Sequence, residues 1–384
     1  MKILHIVSSA NPRDGGPIEG IKQRALVLTA MGHQIEIATL DDPSDPWISD
    51  ISQKTYALGP SNGSYRFCPN LLPWLTENHN NYDACFVHGA WQYHGIGSWK
   101  ALHNTSTPYF VFTHGMLDPW FQRQYPLKHL KKSIYWLYAE HKVLRDAAAV
   151  CFTSEDEKIL ARRSFRPYRV VEEVVAYGTN APTGDADAQK EAFRQICPET
   201  AGKSIYLFLS RIHEKKGCDL LIQAFAKFAS QIPDIHLVMA GPDKTELKPT
   251  LQKLANDLGI GDKISWPGML SGEVKWGAFR SAEVFSLPSH QENFGIAVVE
   301  AMACGCPVLI SNKVNIWREI EADGAGIVEN DDLAGAERML GRWNALTASE
   351  KAQMREDAVA SFKKRYETTD AAKSLIAVIE KYKK

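Results

Sequence analysis

Two carboxylates and two cations stand where apolar runs turn into helices. The segment Pro288-Ser289-His290-Gln291-Glu292-Asn293-Phe294-Gly295 follows an apolar strand at 283–287 and opens a helix near Asn293–Gly295; the next strand begins at Pro307. Glu292 falls in the loop, where it can accept the hydroxyls of a polyol. Glu300 falls inside the helix, flanked by Val298, Val299, Ala301 and Met302. A carboxylate in such company is costly unless something hydrogen-bonds it, and a diol such as a ribose is a fitting partner. The helix start also aims free N–H groups and a positive dipole end at whatever lies before it. The second pair, Arg211 and Lys216, follows the apolar run 205–210. Two fixed cations after a strand suit an anionic ligand. The alternatives are a solvated acidic face and a solvated basic turn. The apolar flanks of Glu300 and the strand ahead of Arg211 weigh against them.

The elements that must hold these residues alternate along the chain. Strand patterns fall at 2–8, 34–39, 84–88, 109–113 and 148–153, with a weaker run at 170–175. A second series falls at 205–210, 235–240, 283–287 and 306–311. Amphipathic stretches lie between them, at 17–31, 128–145, 216–230, 246–258 and 272–281. That alternation predicts βαβ units and parallel sheets. Two strands open alike: 3–9 runs into Asn11-Pro12-Arg13-Asp14-Gly15-Gly16, and 205–210 into Arg211-Ile212-His213-Glu214-Lys215-Lys216-Gly217. Each reads as the first βα turn of its own doubly wound domain, where anionic ligands bind. The hydrophilic stretch 178–203 separates them. The expected domains are 1–178, joined by about 366–384, and 179–365. The tail 350–384 reads as two helices parted near 366–369, the second returning to the first domain.

Composition narrows the class. The 384 residues carry 44 Lys plus Arg against 45 Asp plus Glu, without the basic excess of a nucleic-acid coater. The opening apolar run is too short for a secretory signal. No run reaches the ~18 apolar residues of a membrane span, so the expected location is the cytoplasm. Seven scattered cysteines, several inside apolar strands, suit reduced buried thiols. Cys304-Gly305-Cys306 lacks the spacing of a zinc site.

The segment from Glu292 resembles the signature of family 4 retaining glycosyltransferases of the GT-B fold: a Glu, then Phe-Gly, seven residues between two Glu, and an exit through Ala301-Met302-Ala303-Cys304-Gly305-Cys306-Pro307-Val308. The Gly15-Gly16 loop, Thr113-His114-Gly115-Met116-Leu117-Asp118, Ser210-Arg211 with Glu214-Lys215-Lys216-Gly217, and Ala240-Gly241-Pro242 agree with it. The resemblance implies two Rossmann-like domains facing a cleft, the first for the acceptor and the second for a nucleotide sugar. It implies a metal-independent transfer of a sugar with retention, and no resident cofactor. Glu292 then resembles the residue that holds the donor sugar's hydroxyls, Glu300 the one on the ribose, and Arg211 with Lys216 the diphosphate grip. Asn293, Phe294, Gly295 and Gly241 join them as substrate-binding residues, and backbone near Gly268, Met269 and Leu270 would meet the base. Gly15 and Gly16 would let a backbone N–H approach phosphate or sugar. His114 would sit beside the donor sugar, as a hydrogen-bonding group or through its carbonyl.

His88-Gly89-Ala90-Trp91 reaches the same sheet edge, where Trp91 and Tyr93 offer flat faces to a sugar, aromatic packing being the alternative. Glu155 reads as a helix-start carboxylate behind the N-cap Ser154. Asp185-Ala186-Asp187 matches a metal motif of a different glycosyltransferase fold, but it lies in a hydrophilic linker and is discounted. No Gly-x-Gly-x-x-Gly follows either first strand, which argues against a dehydrogenase. The stretch 121–146 sets six Lys and Arg against Glu140 and Asp146, with leucines at helical spacing and Tyr135, Trp136 and Tyr138. It suits peripheral contact with an anionic membrane at the inner face of the plasma membrane, or a solvated basic face. The expected reaction moves a hexose, from a UDP-sugar in preference to GDP-mannose, to a glycan or lipid-linked saccharide in bacterial polysaccharide synthesis. A nucleotide-sugar epimerase and a non-catalytic sugar-binding protein are the alternatives.

Overall fold

A computed structural model describes residues 1–12 and 16–383. The chain forms two compact units, Met1–Thr179 with Thr368–Lys384, and Asn180–Glu367. The first unit holds β1 (Lys2–Val7), β2 (Gln34–Thr39), β3 (Lys54–Ala57), β4 (Ala84–His88), β5 (Tyr109–Phe112), β6 (Ala149–Phe152) and β7 (Glu172–Val174). They pair in parallel in the order β3-β2-β1-β4-β5-β6-β7. The second unit holds β8 (Ser204–Leu209), β9 (Ile235–Ala240), β10 (Ile264–Gly268), β11 (Ala282–Leu287), β12 (Val308–Ser311) and β13 (Gly326–Glu329). Their order is β10-β9-β8-β11-β12-β13, again parallel. Both are Rossmann-like α/β units, each with its order reversing beside the first strand: between β1 and β4, and between β8 and β11. Ligands bind such sheets at that reversal, past the carboxyl ends of the strands.

The sequence reasons are visible in burial. Every residue of β4, β5 and β6 is buried, as a parallel sheet covered on both faces requires. One face of the first sheet packs on a core that includes Leu4, Val87, Val111 and Trp136. The other takes Ala25 and Leu28 from the helix Gly16–Ala30, and Ala372, Leu375, Ile376 and Ile379 from the C-terminal helix Thr368–Tyr382. The expected return of the tail is therefore observed. Ser374 Oγ accepts from Ala176 N at 3.1 Å, and Tyr382 Oη donates to Glu173 Oε1 at 2.6 Å.

One expected element differs. The stretch 128–145 is not one helix but Pro126–Tyr135, a π-helical turn Trp136–Glu140, and His141–Arg145. The wider turn brings Trp136, Ala139 and Glu140 inward, while Pro126–Tyr135 buries none of its residues. Among the described residues no helix is long and apolar enough to cross a membrane. All seven cysteines are free thiols, and all but Cys304 are buried.

Candidate active site

In the second unit, Arg211 and Lys216 follow β8 while Glu292 follows β11, its neighbour across the reversal. The short 3₁₀ turn Glu214–Lys216 is capped by His213, whose side chain accepts from Lys215 N at 3.1 Å. Gly217 then takes φ 62°, and a Cβ there would lie 2.2 Å from Pro288 O. Only glycine lets the two loops touch. His290 N seals the contact by donating to Lys215 O at 2.7 Å, and His290 Nδ1 pairs with Asp331 Oδ2 at 3.0 Å. That carboxylate holds the imidazole above its usual pKa.

Glu292 is fixed through its backbone. Its N–H donates to Lys313 O and its carbonyl accepts from Asn315 N, both at 3.0 Å. Its side chain pairs with Lys216 Nζ. Lys216 is 5% exposed, so the pair is enclosed on the lysine side. Arg211 is exposed and has no carboxylate within ion-pair distance among the described residues. The site thus holds one cation already engaged and one open to an incoming anion.

Gly295, at φ 76°, precedes the helix Ile296–Ala303. Glu300 lies on that helix at 5% exposure. Its Oε1 pairs with Lys275 Nζ at 2.7 Å, from the helix Gly272–Ser281. The partner that the apolar flanks demanded is thus supplied from within the unit. Asn293 Oδ1 accepts from Asn315 Nδ2 at 3.5 Å. Phe294 is a packing residue: it is buried, and its ring meets Tyr366 edge-on at 5.8 Å. Gly241 N donates to Gly268 O at 2.7 Å, which ties the ends of β9 and β10 together. Met269 beyond them is 72% exposed.

In the first unit, Gly16 begins the helix Gly16–Ala30, and Gly15 lies outside the described residues. His114 follows β5 with φ 48°. Its Nε2 pairs with His88 Nδ1 at 2.9 Å, and His88 Nε2 pairs with His5 Nδ1 at 2.8 Å. The three rings form one hydrogen-bonded chain. Enclosure, helped by the positive charge of Arg24, pushes His5 and His114 down to about 3, so both are neutral. His88 is therefore an interior link, not a surface ligand.

The His114 loop is held by a residue the sequence reading missed. Glu157 Oε1 accepts from Thr113 Oγ1 at 2.9 Å and Gly115 N at 2.6 Å, and its Oε2 from Thr153 N at 2.7 Å and Thr153 Oγ1 at 2.8 Å. The N-cap Ser154 accepts from Glu157 N at 3.1 Å, while Glu155 is exposed. Trp91, at φ 74°, is packed among Phe165, Trp136 and Tyr135, with Lys132 Nζ 4.5 Å above its ring. Its N–H donates to Glu140 Oε2 at 3.0 Å. Trp91 is half-buried and Tyr93 is buried. Asp185 of the discounted motif is a helix cap, accepting from Asp187 N at 3.0 Å and Ala188 N at 2.7 Å.

Lys275, Glu157, Glu140 and Arg24 carry no motif; what surrounds them is brought there largely by the fold. The one available signal was a charge set within an otherwise apolar helix face, as at Arg24.

Residues 189–358 match the family described as glycosyl transferases group 1, and residues 15–178 match a glycosyl transferase 4-like domain. The chain belongs to the group 1 glycosyltransferases. This glycosyltransferase is 23% identical over 338 residues to mannosylfructose-phosphate synthase of Agrobacterium fabrum, covering 80% of this chain and 73% of that one. It is 25% identical over 316 residues to D-inositol 3-phosphate glycosyltransferase of Mycobacteroides abscessus, covering 77% and 69%. Among solved structures, sucrose-phosphate synthase of Thermosynechococcus elongatus superposes with a TM-score of 0.75 at 19% identity, covering 99% of both chains. Anabaena HepE, solved with UDP and glucose, gives 0.77 at 16% identity, covering 99% of this chain and all of that one. The fold is that of the GT-B glycosyltransferases.

Proposed function

We propose that this glycosyltransferase moves a hexose from a UDP-sugar to a saccharide acceptor with retention and without a metal ion. The Lys216–Glu292 pair beside the open Arg211 carries this reading. A diphosphate entering past β8 meets two cations that can take up the charge a divalent ion would otherwise balance. As Lys216 turns to the phosphate, Glu292 is released to accept hydroxyls of the donor sugar. Glu300, now on Lys275, accepts the ribose hydroxyls. The bond from the anomeric carbon to the phosphate oxygen breaks with its electron pair on the diphosphate. The acceptor oxygen attacks the same face, and its proton passes to the departing phosphate oxygen. HepE, crystallised with UDP and glucose, supports uridine as the base.

The first unit would carry the acceptor, a glycan or lipid-linked saccharide of bacterial polysaccharide synthesis, from the cytoplasmic side. Leu127, Leu130, Ile134, Leu137 and Tyr138 are 54–78% exposed beside exposed Lys128 and Lys131. An apolar stripe edged by lysines is complementary to an anionic membrane surface.

The test is a donor panel of UDP-, GDP- and ADP-sugars with and without EDTA, the product's anomer read by proton NMR. Retained configuration from a UDP-sugar, unchanged by EDTA, is expected. An inverted product, a metal requirement, or free epimerised sugar would overturn the mechanism. A GDP-sugar response alone would overturn the donor.

A further inference from the structure

A cation, Arg24, is enclosed in the first unit. Arg24, on the helix Gly16–Ala30, is 4% exposed. Among the described residues it has no carboxylate within ion-pair distance and no hydrogen-bond partner. Its surroundings are rings. The guanidinium carbon lies 5.6 Å from the centre of Phe112 and 5.2 Å from that of Tyr177. The His114 ring stands 5.7 Å from Phe112 and 6.4 Å from Tyr177, so it shares both rings with Arg24. Gly20, one turn before Arg24, makes room: a Cβ there would lie 1.7 Å from Tyr177 Oη.

Aromatic faces offset part of the cost of burying a guanidinium, but among the described residues no acceptor meets its N–H donors. The nearby imidazoles cannot neutralise it, since each is uncharged or cationic. A lone enclosed charge is expensive to keep, and a planar fork of donors matches carboxylate and phosphate. His114 adds to the fork. Its Nε2 is committed to His88, while Nδ1 has no hydrogen bond among the described residues. If each Nδ1–H in the His5–His88–His114 chain donates to the next Nε2, the last proton sits on His114 Nδ1, free to donate to an anion.

We propose that Arg24 and His114 form a binding site for an anionic oxygen group of the acceptor, a phosphate monoester or a carboxylate. The proposal rests on reading the first unit as the acceptor side. It commits the acceptor to a charged sugar, one whose anionic group neutralises Arg24 on binding. Tyr177 and Phe112 form the apolar walls that strengthen the charge pair.

The test is thermal unfolding of the full chain with inorganic phosphate, glucose 6-phosphate, glucuronate or glucose, at matched ionic strength in chloride, with and without saturating UDP. Phosphate or glucose 6-phosphate should raise Tm by several degrees, glucose should not, and the rise should persist with UDP bound. A glucuronate response exceeding that of glucose 6-phosphate assigns the carboxylate instead. Arg24→Met should lose the anion response, keep the UDP response, and be no less stable in chloride. Should Arg24→Met not fold, Arg24→Lys, which keeps the charge and loses the fork, should weaken the anion response at least tenfold. A wild-type rise no larger than that in chloride overturns the proposal, as does an equal rise in Arg24→Met. Anion responses abolished by saturating UDP would place the group in the donor's diphosphate site and overturn it too. The UDP response alone judges the donor reading.

Discussion

Lys216 and Glu292 are paired, so each is read best by what its loss leaves behind. Lys216→Ala frees a Glu292 side chain that is already 20% exposed, and water can take over its hydrogen bonds. The fold should therefore survive, with Tm close to wild type. Under the proposed mechanism the leaving diphosphate would lose one preorganised cation, at a cost of about 2.7–4 kcal/mol of transition-state stabilisation, or about 10²–10³ in kcat. Glu292→Gln removes the carboxylate instead and should leave UDP binding intact while transfer falls; UDP affinity by calorimetry and initial rates separate the two effects. A Lys216→Ala enzyme turning over at the wild-type rate would remove Lys216 from the mechanism. These residues were legible because their loops announce themselves, with glycines and strand ends on either side. Glu157 and Lys275 were not, because a carboxylate holding a loop and a lysine neutralising Glu300 look like ordinary helix residues until the fold brings their partners to them.

At the scale of elements, glycines decide whether the loops around the second site can approach. Gly241 has φ 145°, and a Cβ there would lie 1.7 Å from the carbonyl oxygen of Ser210, one residue before Arg211. Gly259 has φ 70° with open space around its missing Cβ. Gly259→Ala should cost only the left-handed backbone penalty, about 1–2 kcal/mol. Gly241→Ala must also push Ser210 away, so it should cost clearly more and weaken UDP binding through Arg211. Urea midpoints and UDP titrations of the two variants check this; equal costs would show that the β8 loop yields freely. The strands that the sequence hid are elements of one kind. Lys54–Ala57, Ile264–Gly268 and Gly326–Glu329 are edge strands, as is the weakly marked Glu172–Val174. An edge strand is paired on one side only, so it tolerates Lys54, Pro267 or Glu329 where a central strand shows an unbroken apolar run. The π-turn at Trp136–Glu140 was hidden differently, since its extra residue leaves the leucine spacing looking helical.

For the whole molecule, the buried histidines of the first unit set the response to acid. Enclosure pushes His5 and His114 down to about 3, pushes His94 down to about 4, and holds His88 well below its ordinary value. Unfolded, each titrates near 6.5. Between these limits the unfolded chain binds protons that the folded chain refuses, so stability is lost as pH falls below 6.5. Glu140 acts in the opposite sense. Burial pushes it up to about 7, against an ordinary carboxylate value of 4.5. From pH 4.5 to 7 the folded chain keeps a proton there that the unfolded chain has released, and this contribution declines as pH rises. Near pH 5–5.5 the imidazoles outweigh the one carboxyl, so unfolding takes up protons on balance. Stability should then fall on acidification, by about 1.4 kcal/mol per pH unit for each net proton taken up. Urea unfolding followed by tryptophan fluorescence at steps between pH 5 and 6.5 measures that slope, and a slope under one proton would refute the neutral chain. Glu140→Gln sharpens the test. Glutamine can still accept from Trp91 N but cannot titrate, so the opposing proton disappears. The variant should be more stable than wild type at pH 7.5, nearly equal to it at pH 4.5, and steeper between by about 1.4 kcal/mol per pH unit.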